Sequence, residues 1–460
     1  MRDVLPRGGG AGDLSGLLPF VVSGLVSGSL YGLAGLGLVL TYRTSGVFNF
    51  AHGAIAAAAA FSFYFLHYDN GVPWPIAALL VIGFFATFVG WFLERLTRAL
   101  AGAPDTVVVV ATIGLMLGVE GFLYQQFGLQ TRTFPNFLPE SGFVLQGVTI
   151  TWAQIISFLI AGLGAAVLFL FLQRSRLGVA MRAVVDNPSL ASLSGERANR
   201  VRLSGWCLGA GVAAVAGILL APSINLDVNL LTLLVVQAFG ACAIGRFSSL
   251  PLTFVGGLVV GVLASVLTRY LTTAPFTGLA PSAPFLVLIA VLLVVPVRKL
   301  PGGAAVRRFI ATDRPPASPR RRVGAAVVVA LVVLILPSVV GFKLPVWTTG
   351  LGYLVVFSSL SLLTWASGQL SLCHAAFLAI GVTSMSHLTS AGVPWLPALL
   401  LAGLSVVPVG ALVAIPAIRL SGIYLGLVTL GFGILTQNVF YGTELMFGAS
   451  LNATIPRPVL

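Results

Sequence analysis

The sequence predicts an all-α integral membrane protein with about 14 transmembrane helices, within a range of about 12–16, arranged as two parallel repeats. First, 58% of the 460 residues are hydrophobic and 8% are charged, whereas about a quarter of the residues in soluble domains are charged. Second, runs of about 20 apolar residues, long enough to cross a bilayer as helices, recur along nearly the whole chain. Third, a stretch that begins at Ser45 returns in related form at Ser367.

The N-terminal part contains five apolar stretches long enough to span a bilayer. They are residues 17–40, 46–67, 76–93, 106–127 and 152–172. The polar loop between the last two contains residues 143–150, which predict a β-like stretch or short hairpin.

Two basic regions follow. Residues 173–202 hold six arginines against two acidic residues, and residues 298–322 hold eight basic residues against one acidic residue. Such clusters between apolar runs are typical of cytoplasmic loops, so the net charge of +13 does not indicate a nucleic-acid partner. Four spans are expected between the two regions, at 203–221, 230–244, 251–271 and 284–297. The Gly and Pro content of these spans makes the middle two uncertain, and one of them is a candidate for a broken or re-entrant pair.

Five further spans are expected after the second basic region, at 323–340, 347–365, 369–388, 395–418 and 423–441. Counting spans from the basic regions places the N-terminus outside and the linker inside the cell, in a multi-pass protein of the inner (plasma) membrane. The predicted domains are an N-terminal extension at 1–16, a first membrane domain at 17–297, a cytoplasmic basic linker at 298–322 and a second membrane domain at 323–460.

The internal repeat extends beyond the stretch at Ser45. Gly28 and Tyr31 recur as Gly350 and Tyr353, and the tetrapeptide GVPW appears twice, each time after the span that follows the repeated stretch. Both copies of that stretch lead into spans that run from inside to outside in this topology. The two halves are therefore predicted to be parallel repeats related by an axis along the membrane normal.

Each copy of the repeated stretch places polar side chains at the head of an apolar span. A polar group in a bilayer costs a few kcal/mol unless it is paired, so it faces a bundle interior or an aqueous path. Packing between helices is the simpler interpretation for any one of these residues, but their matched positions favour a translocation path. The candidates are Ser45, Asn49, His52, Gly53, Ser367, Gln369, Ser371 and His374.

The first basic loop contains a predicted short helix. Asn187 is a suitable N-cap, Pro188 a suitable first helical residue and Gly195 a suitable end. Leu190 and Leu193 then lie on one face of the helix, because residues three apart are neighbours on a helix surface. We expect a partner protein to bury this face; the alternative is a helix that lies on lipid headgroups.

The chain contains no GxxxxGK[ST] sequence, so it does not bind ATP through a P-loop of its own, and no cofactor is expected in it. Proton- or cation-coupled carriers usually need carboxylates within the membrane. Within the predicted spans the acidic residue is Glu120, and Asp227 lies at the edge of a loop. This is thin support for an ion-driven mechanism.

These residues resemble the permeases of branched-chain amino acid ABC transporters. The first half resembles the LivH type in GSLYGL at 28–33, GVFNFAHG at 46–53 and GVAMRA at 178–183, followed by DNP at 186–188. The second half resembles the LivM type in GQLSL at 368–372 with His374, and in RLSGIY and VTLGFG, which begin at 419 and 428.

The resemblance implies a permease component of an importer, with 17–297 as a LivH-like domain and 323–460 as a LivM-like domain. It implies two separate ABC ATPase subunits that bind the ATP, an extracellular solute-binding protein and a surrounding lipid bilayer. It also implies that the loop after the fifth span docks on an ATPase. The coupling candidates are Arg176, Gly178, Arg182, Asp186, Asn187, Pro188, Leu190, Leu193 and Gly195.

One departure from the family pattern concerns the second half. LivM-type members continue after the VTLGFG span through more helices and a second basic loop, so the LivM-like domain is expected to be incomplete at its C-terminal end. The alternatives to an ABC permease are an ion- or proton-coupled secondary carrier and a truncated, non-transporting membrane scaffold. The residues do not choose among branched-chain amino acids, other amino acids, urea and short amides as cargo.

Overall fold

The computed structural model describes residues 12–100, 103, 105–146, 148–186, 193, 197–273, 276–296, 318–420, 422–448 and 451–457, and the structural statements below concern these residues. Almost all of them are helical. Ten helical stretches in this part of the chain are long and apolar enough to cross a membrane. The all-α membrane fold is therefore confirmed, whereas the count of fourteen spans is not.

The first half is built from helices and one hairpin. The helices are α1 (Gly12–Ser45), α2 (His52–Tyr64), α3 (Trp74–Leu80), α4 (Ala86–Ala99), α5 (Asp105–Phe127), α6 (Trp152–Arg174), α7 (Arg176–Asp186), α8 (Ala198–Ile224), α9 (Val228–Thr232), α10 (Leu234–Ile244), α11 (Leu250–Tyr270) and α12 (Leu279–Val294). Short π-helical turns extend α2 and join α3 to α4. The expected hairpin is present as β1 (Gly142–Leu145) and β2 (Val148–Thr151), which pair antiparallel.

The second half contains five helices among the described residues. They are α13 (Pro319–Val340), α14 (Leu344–Ser367), α15 (His374–Ser390), α16 (Trp395–Arg419) and α17 (Ile423–Phe440). The expected spans 46–67 and 369–388 begin too early, because α2 and α15 start at His52 and His374. In both places a non-helical segment occupies the start of the predicted span.

The first half is held together by close packing between α1 and α11. A Cβ added at Gly28 would lie 2.6 Å from the carbonyl oxygen of Gly257, and one added at Gly24 would lie 2.6 Å from the Cα of Val262. Gly257 in turn packs directly on the backbone of Gly32. Small residues let helix backbones approach in a membrane, where burial of apolar side chains gives no advantage over contact with lipid.

Of the two candidates for a broken span, 230–244 is broken, whereas 251–271 is the continuous helix α11. The chain turns at Asn225, whose φ is 62°, and the short α9 is followed by α10 with a kink at Leu233. Asp227 caps α9 by accepting a hydrogen bond from the amide of Leu230 at 2.9 Å. Discontinuous helices of this kind occur where a membrane protein lines a cavity or a binding site.

The counterpart of α1 in the second half is packed very differently. No residue of α14 is buried, and a Cβ added at Gly350 would meet nothing within 4 Å. Gly28 and Gly350 occupy matched positions in the repeat, so the same glycine is tightly enclosed in one half and open in the other.

This difference predicts unequal effects of one substitution. Gly28→Val should lower the free energy of unfolding by about 1–3 kcal/mol, because the added side chain cannot fit against α11. The thermal unfolding midpoint of the purified chain in detergent measures the effect.

Gly350→Val is the matched control, since it carries the same helix-propensity change without the steric conflict. It should leave the midpoint near that of the unsubstituted chain. Equal shifts for the two variants would contradict the packing described for α1 and α11.

Candidate functional site

Both copies of the repeated stretch form the same turn. Ser45 donates a hydrogen bond to the carbonyl oxygen four residues earlier at 2.6 Å and accepts one from the amide two residues later at 3.2 Å. Ser367 does the same at 2.7 and 3.3 Å. The following glycines, Gly46 and Gly368, have φ of 72° and 67°, the left-handed conformation that ends many helices. The shared Ser-Gly pair therefore ends a helix in each half.

The polar residues of the first copy are enclosed by the protein. Asn49 is 1% exposed and accepts a hydrogen bond from the amide of Ala51 at 3.1 Å. His52 is 0% exposed, and its Nε2 lies 3.0 Å from the carbonyl oxygen of Ala34. Because a carbonyl oxygen only accepts, this contact assigns the proton of the neutral ring to Nε2.

Gly53 lies where α2 meets the broken helix. A Cβ at this position would clash with the carbonyl oxygen of Thr232, the last residue of α9. The matched residue of the second copy is Ala375, which is exposed. The absence of a side chain at Gly53 thus lets the start of α2 approach the break between α9 and α10.

The second copy packs on α17. Ser371 is buried, with its Oγ 3.3 Å from the sulfur of Cys373, and the amide of Leu372 donates to the Oγ1 of Thr429 at 2.9 Å. Gln369 and His374 are half-buried and Ser367 is exposed. The polar groups of this copy are therefore more accessible than those of the first copy.

One face of α17 forms the contact between the two halves. Tyr424, Gly431 and Asn438 follow each other at intervals of seven residues on this face. The ring of Tyr424 lies 6.0 Å from that of Phe48 and 5.6 Å from that of Phe247. These aromatic contacts join the N-terminal end of α17 to the first half, next to the Ser45 turn.

The same face continues along α12 toward the other end of the bundle. A Cβ on Gly431 would lie 3.3 Å from the ring of Phe285. The Nδ2 of Asn438 donates to the Oγ of Ser282 at 3.1 Å, and Gly278 packs directly on the carbonyl of Asn438.

The opposite face of α17 receives the second copy of the repeat. A Cβ on Gly426 would lie 3.4 Å from the side chain of Leu370, and one on Gly433 would lie 3.7 Å from Cys373. Both copies therefore flank α17 near the same end, as expected for parallel repeats.

The first coupling candidates lie on α7. Ser175 accepts a hydrogen bond from the amide of Gly178 at 2.9 Å, and a Cβ on Gly178 would lie 2.5 Å from the Cα of Leu172. Gly178 thus permits the tight turn between α6 and α7. This turn presents an outer face with Arg176, Val179 and Arg182 exposed.

The remaining coupling candidates are less fully described. Asp186 is the last residue of α7, and the side chain of Leu193 is 83% exposed. Asn187, Pro188, Leu190 and Gly195 lie outside the described residues, so the predicted short helix stays a prediction.

Residues 20–296 match the sequence model of the family described as branched-chain amino acid transport system, permease component. The chain belongs to this family. The resemblance of the first half to these permeases is thereby confirmed.

Individual branched-chain permeases show the same relation. LivH, a high-affinity branched-chain amino acid transport system permease protein of Escherichia coli K12, is 27% identical over 291 residues, which cover 60% of this chain and 92% of that protein. BraD of Pseudomonas aeruginosa is 30% identical over 258 residues, covering 53% of this chain and 83% of that protein. These relatives are permeases of transport systems and not enzymes.

A second type of branched-chain permease matches a shorter part of the chain. LivM of Escherichia coli K12 is 34% identical over 110 residues, which cover 24% of this chain and 26% of that protein. The chain is thus a LivH-type permease with a LivM-like portion, and it spans about a quarter of the length of LivM.

The role of α17 in joining the halves of this permease was missed at the level of sequence. The seven-residue spacing of Tyr424, Gly431 and Asn438 was available as a signal, because such spacing returns to the same face of a helix. The spacing alone does not predict a contact between the halves, because it does not identify the helix that this face meets. Ser282 on α12 carried no signal of its own.

The packing of Gly53 gives a testable outcome. Gly53→Ala should lower the free energy of unfolding by about 1–3 kcal/mol, because its methyl group displaces the carbonyl end of α9. Thermal unfolding in detergent measures the change.

Ala375→Gly tests the matched site of the second copy. It should cost no more than about 1 kcal/mol, the usual helix penalty of glycine. A neutral Gly53→Ala would show that α2 and α9 are not in close contact.

Proposed function

We propose that the chain is the membrane-spanning permease component of an ATP-binding-cassette importer for branched-chain or related amino acids. The observation that carries this proposal is the family match across residues 20–296. The relatives named LivH and BraD are described as permeases of high-affinity branched-chain amino acid transport. Separate ATPase subunits hydrolyse ATP, and the chain itself binds no cofactor.

The solute passes between the two halves, beside α12 and α17. Glycines at the contact, Gly278 and Gly431, let the helices lie close together. The polar pair of Ser282 and Asn438 lies at one end of this contact and aromatic rings lie at the other. The path candidates of the second copy border the same helix.

The outer face of α7 is the docking surface for an ATPase subunit. Val179 is 50% exposed beside the exposed Arg176, while Met181 on the opposite face is 2% exposed. One face of α7 is thus anchored in the bundle and the other is available to a partner, so movement of the partner is transmitted to the bundle. In this orientation α7 and the linker 298–322 are cytoplasmic, the N-terminus is outside and the membrane is the inner membrane.

Two ABC ATPase subunits and an extracellular solute-binding protein complete the importer. ATP-driven uptake in reconstituted vesicles that contain these partners tests the class of transporter. Leucine uptake should require internal ATP and persist when ionophores collapse all ion gradients. Uptake that follows an ion gradient without ATP would instead support a secondary carrier, and absence of uptake under both conditions would support a scaffold.

The same vesicles test the docking surface. Val179→Asp should lower both co-purification of the ATPase and uptake, because a charged group replaces an apolar one at the contact. Leu445→Asp is the control, since Leu445 is 69% exposed just beyond the far end of α17. Normal uptake by the Val179 variant would remove α7 from the docking role.

Locking the two halves together tests the path. In the double variant Ser282→Cys and Asn438→Cys, oxidation should join α12 to α17, since the two native side chains lie 3.1 Å apart. Transport should stop on oxidation and return on reduction, because alternating access needs the halves to move.

Ser384→Cys and Ser405→Cys form the matched control within the second half, where the two hydroxyl oxygens lie 2.9 Å apart. Their cross-link should leave transport unchanged. Undiminished transport with α12 joined to α17 would place the moving parts elsewhere.

A further inference from the structure

A cavity of about 310 Å³ lies at the arginine-bearing end of the first half. It is lined by the last turn of α1, the last turns of α6, one side of α7 and the start of α11, and it opens to the outside of the protein. Its size is at the lower end of the range of small-molecule sites in proteins, about 300–1,000 Å³. The proposed transport path along α12 and α17 does not include it.

The polar groups of the cavity suit an anion. Arg43 and Arg182 both line it, together with Ser248 and Ser249. Arg43 donates to the carbonyl oxygen of Ser248 at 3.1 Å, and Arg182 donates to that of Gln173 at 3.3 Å. A guanidinium carries five N–H donors, so each arginine keeps its carbonyl contact and still donates to a phosphate. Among the described lining residues no acidic side chain opposes these charges.

The other walls of the cavity are apolar. Leu40, Phe169, Leu172 and Leu250 belong to helices that are long and apolar enough to cross the membrane. Arg43 lies in the last turn of α1, and Gln173 is one residue from the end of α6. The cavity is therefore at the level where a span ends, with charge and hydrocarbon surfaces side by side.

We infer that this cavity binds the phosphate headgroup of an anionic phospholipid, with Arg43 and Arg182 on the phosphate and an acyl chain along Phe169 and Leu172. Basic pockets between transmembrane helices bind such headgroups. A free phosphate ester shares the charged part of this chemistry, but the apolar walls favour the lipid.

Binding at this site would join α7 to α1. Arg182 and Met181 come from α7, whereas Arg43 and Leu40 come from α1, so a bound lipid holds the two helices in a fixed relation. An effect on ATPase coupling rests on the proposed docking role of α7; the binding itself does not.

Native mass spectrometry of the delipidated full chain in detergent tests the site. Phosphatidylglycerol should bind more tightly than phosphatidylcholine, and the double variant Arg43→Gln and Arg182→Gln should weaken phosphatidylglycerol binding about twenty-five-fold. Each arginine near an anionic headgroup contributes about a fivefold change in affinity. The thermal midpoint of each variant shows that it is folded.

The double variant Arg320→Gln and Arg419→Gln is the matched control. Both side chains are exposed on second-half helices, and the change in net charge is the same. The control should bind phosphatidylglycerol like the unsubstituted chain. If Arg43→Gln prevents folding, Arg182→Gln alone should weaken binding about fivefold, since that side chain is exposed.

Three outcomes would overturn the assignment. The first is equal affinity for phosphatidylglycerol and phosphatidylcholine, and the second is equal weakening in the cavity and control variants. The third is competition by inorganic phosphate or glycerol 3-phosphate at the same concentration as the lipid, which would assign the site to a soluble phosphate. Because the readout is binding alone, failure of the transport proposal would leave this test unaffected.

Discussion

Close approach of helix backbones is the constraint on which the first half depends. In a bilayer, apolar side chains gain little by contacting another helix in place of lipid, so helices associate where small residues allow dense packing and short contacts. The crossing of α1 and α11 at Gly28 and Gly257 provides such a contact. This crossing fixes the position of α1. The Ser45 turn at the end of α1 leads to the start of α2, which packs on the break after α9.

The contact between the halves follows the same principle with a different result. Along α17, Gly431 meets a phenylalanine ring of α12, and Asn438 donates a hydrogen bond to Ser282. The chain therefore combines a firmly packed half with a helix, α17, whose two faces contact different neighbours.

The sequence predicted the fold class because composition and apolar run length are set by the solvent. It narrowed the broken span to two candidates and did not choose between them, since the break at Leu233 contains neither Gly nor Pro. The starts of two spans were wrong because the chain stays non-helical for several residues after Gly46 and Gly368, although many of those residues are apolar. Apolarity along the chain does not record such a turn. The joining face of α17 was missed because spacing along one helix does not identify the helix that it meets.

The two copies of the repeated stretch share their architecture and differ in access. Both use a Ser-Gly pair to end a helix and a histidine to begin the next, so these residues have a structural role in each half. His52 is fully buried with Nε2 bound to a carbonyl oxygen, whereas His374 and Gln369 are half-buried beside α17. A polar group that meets a solute must be reachable from the path. The polar path candidates of the second copy are more exposed than Asn49 and His52 of the first copy. The sequence did not predict this difference, because the residues occupy matched positions in the repeat.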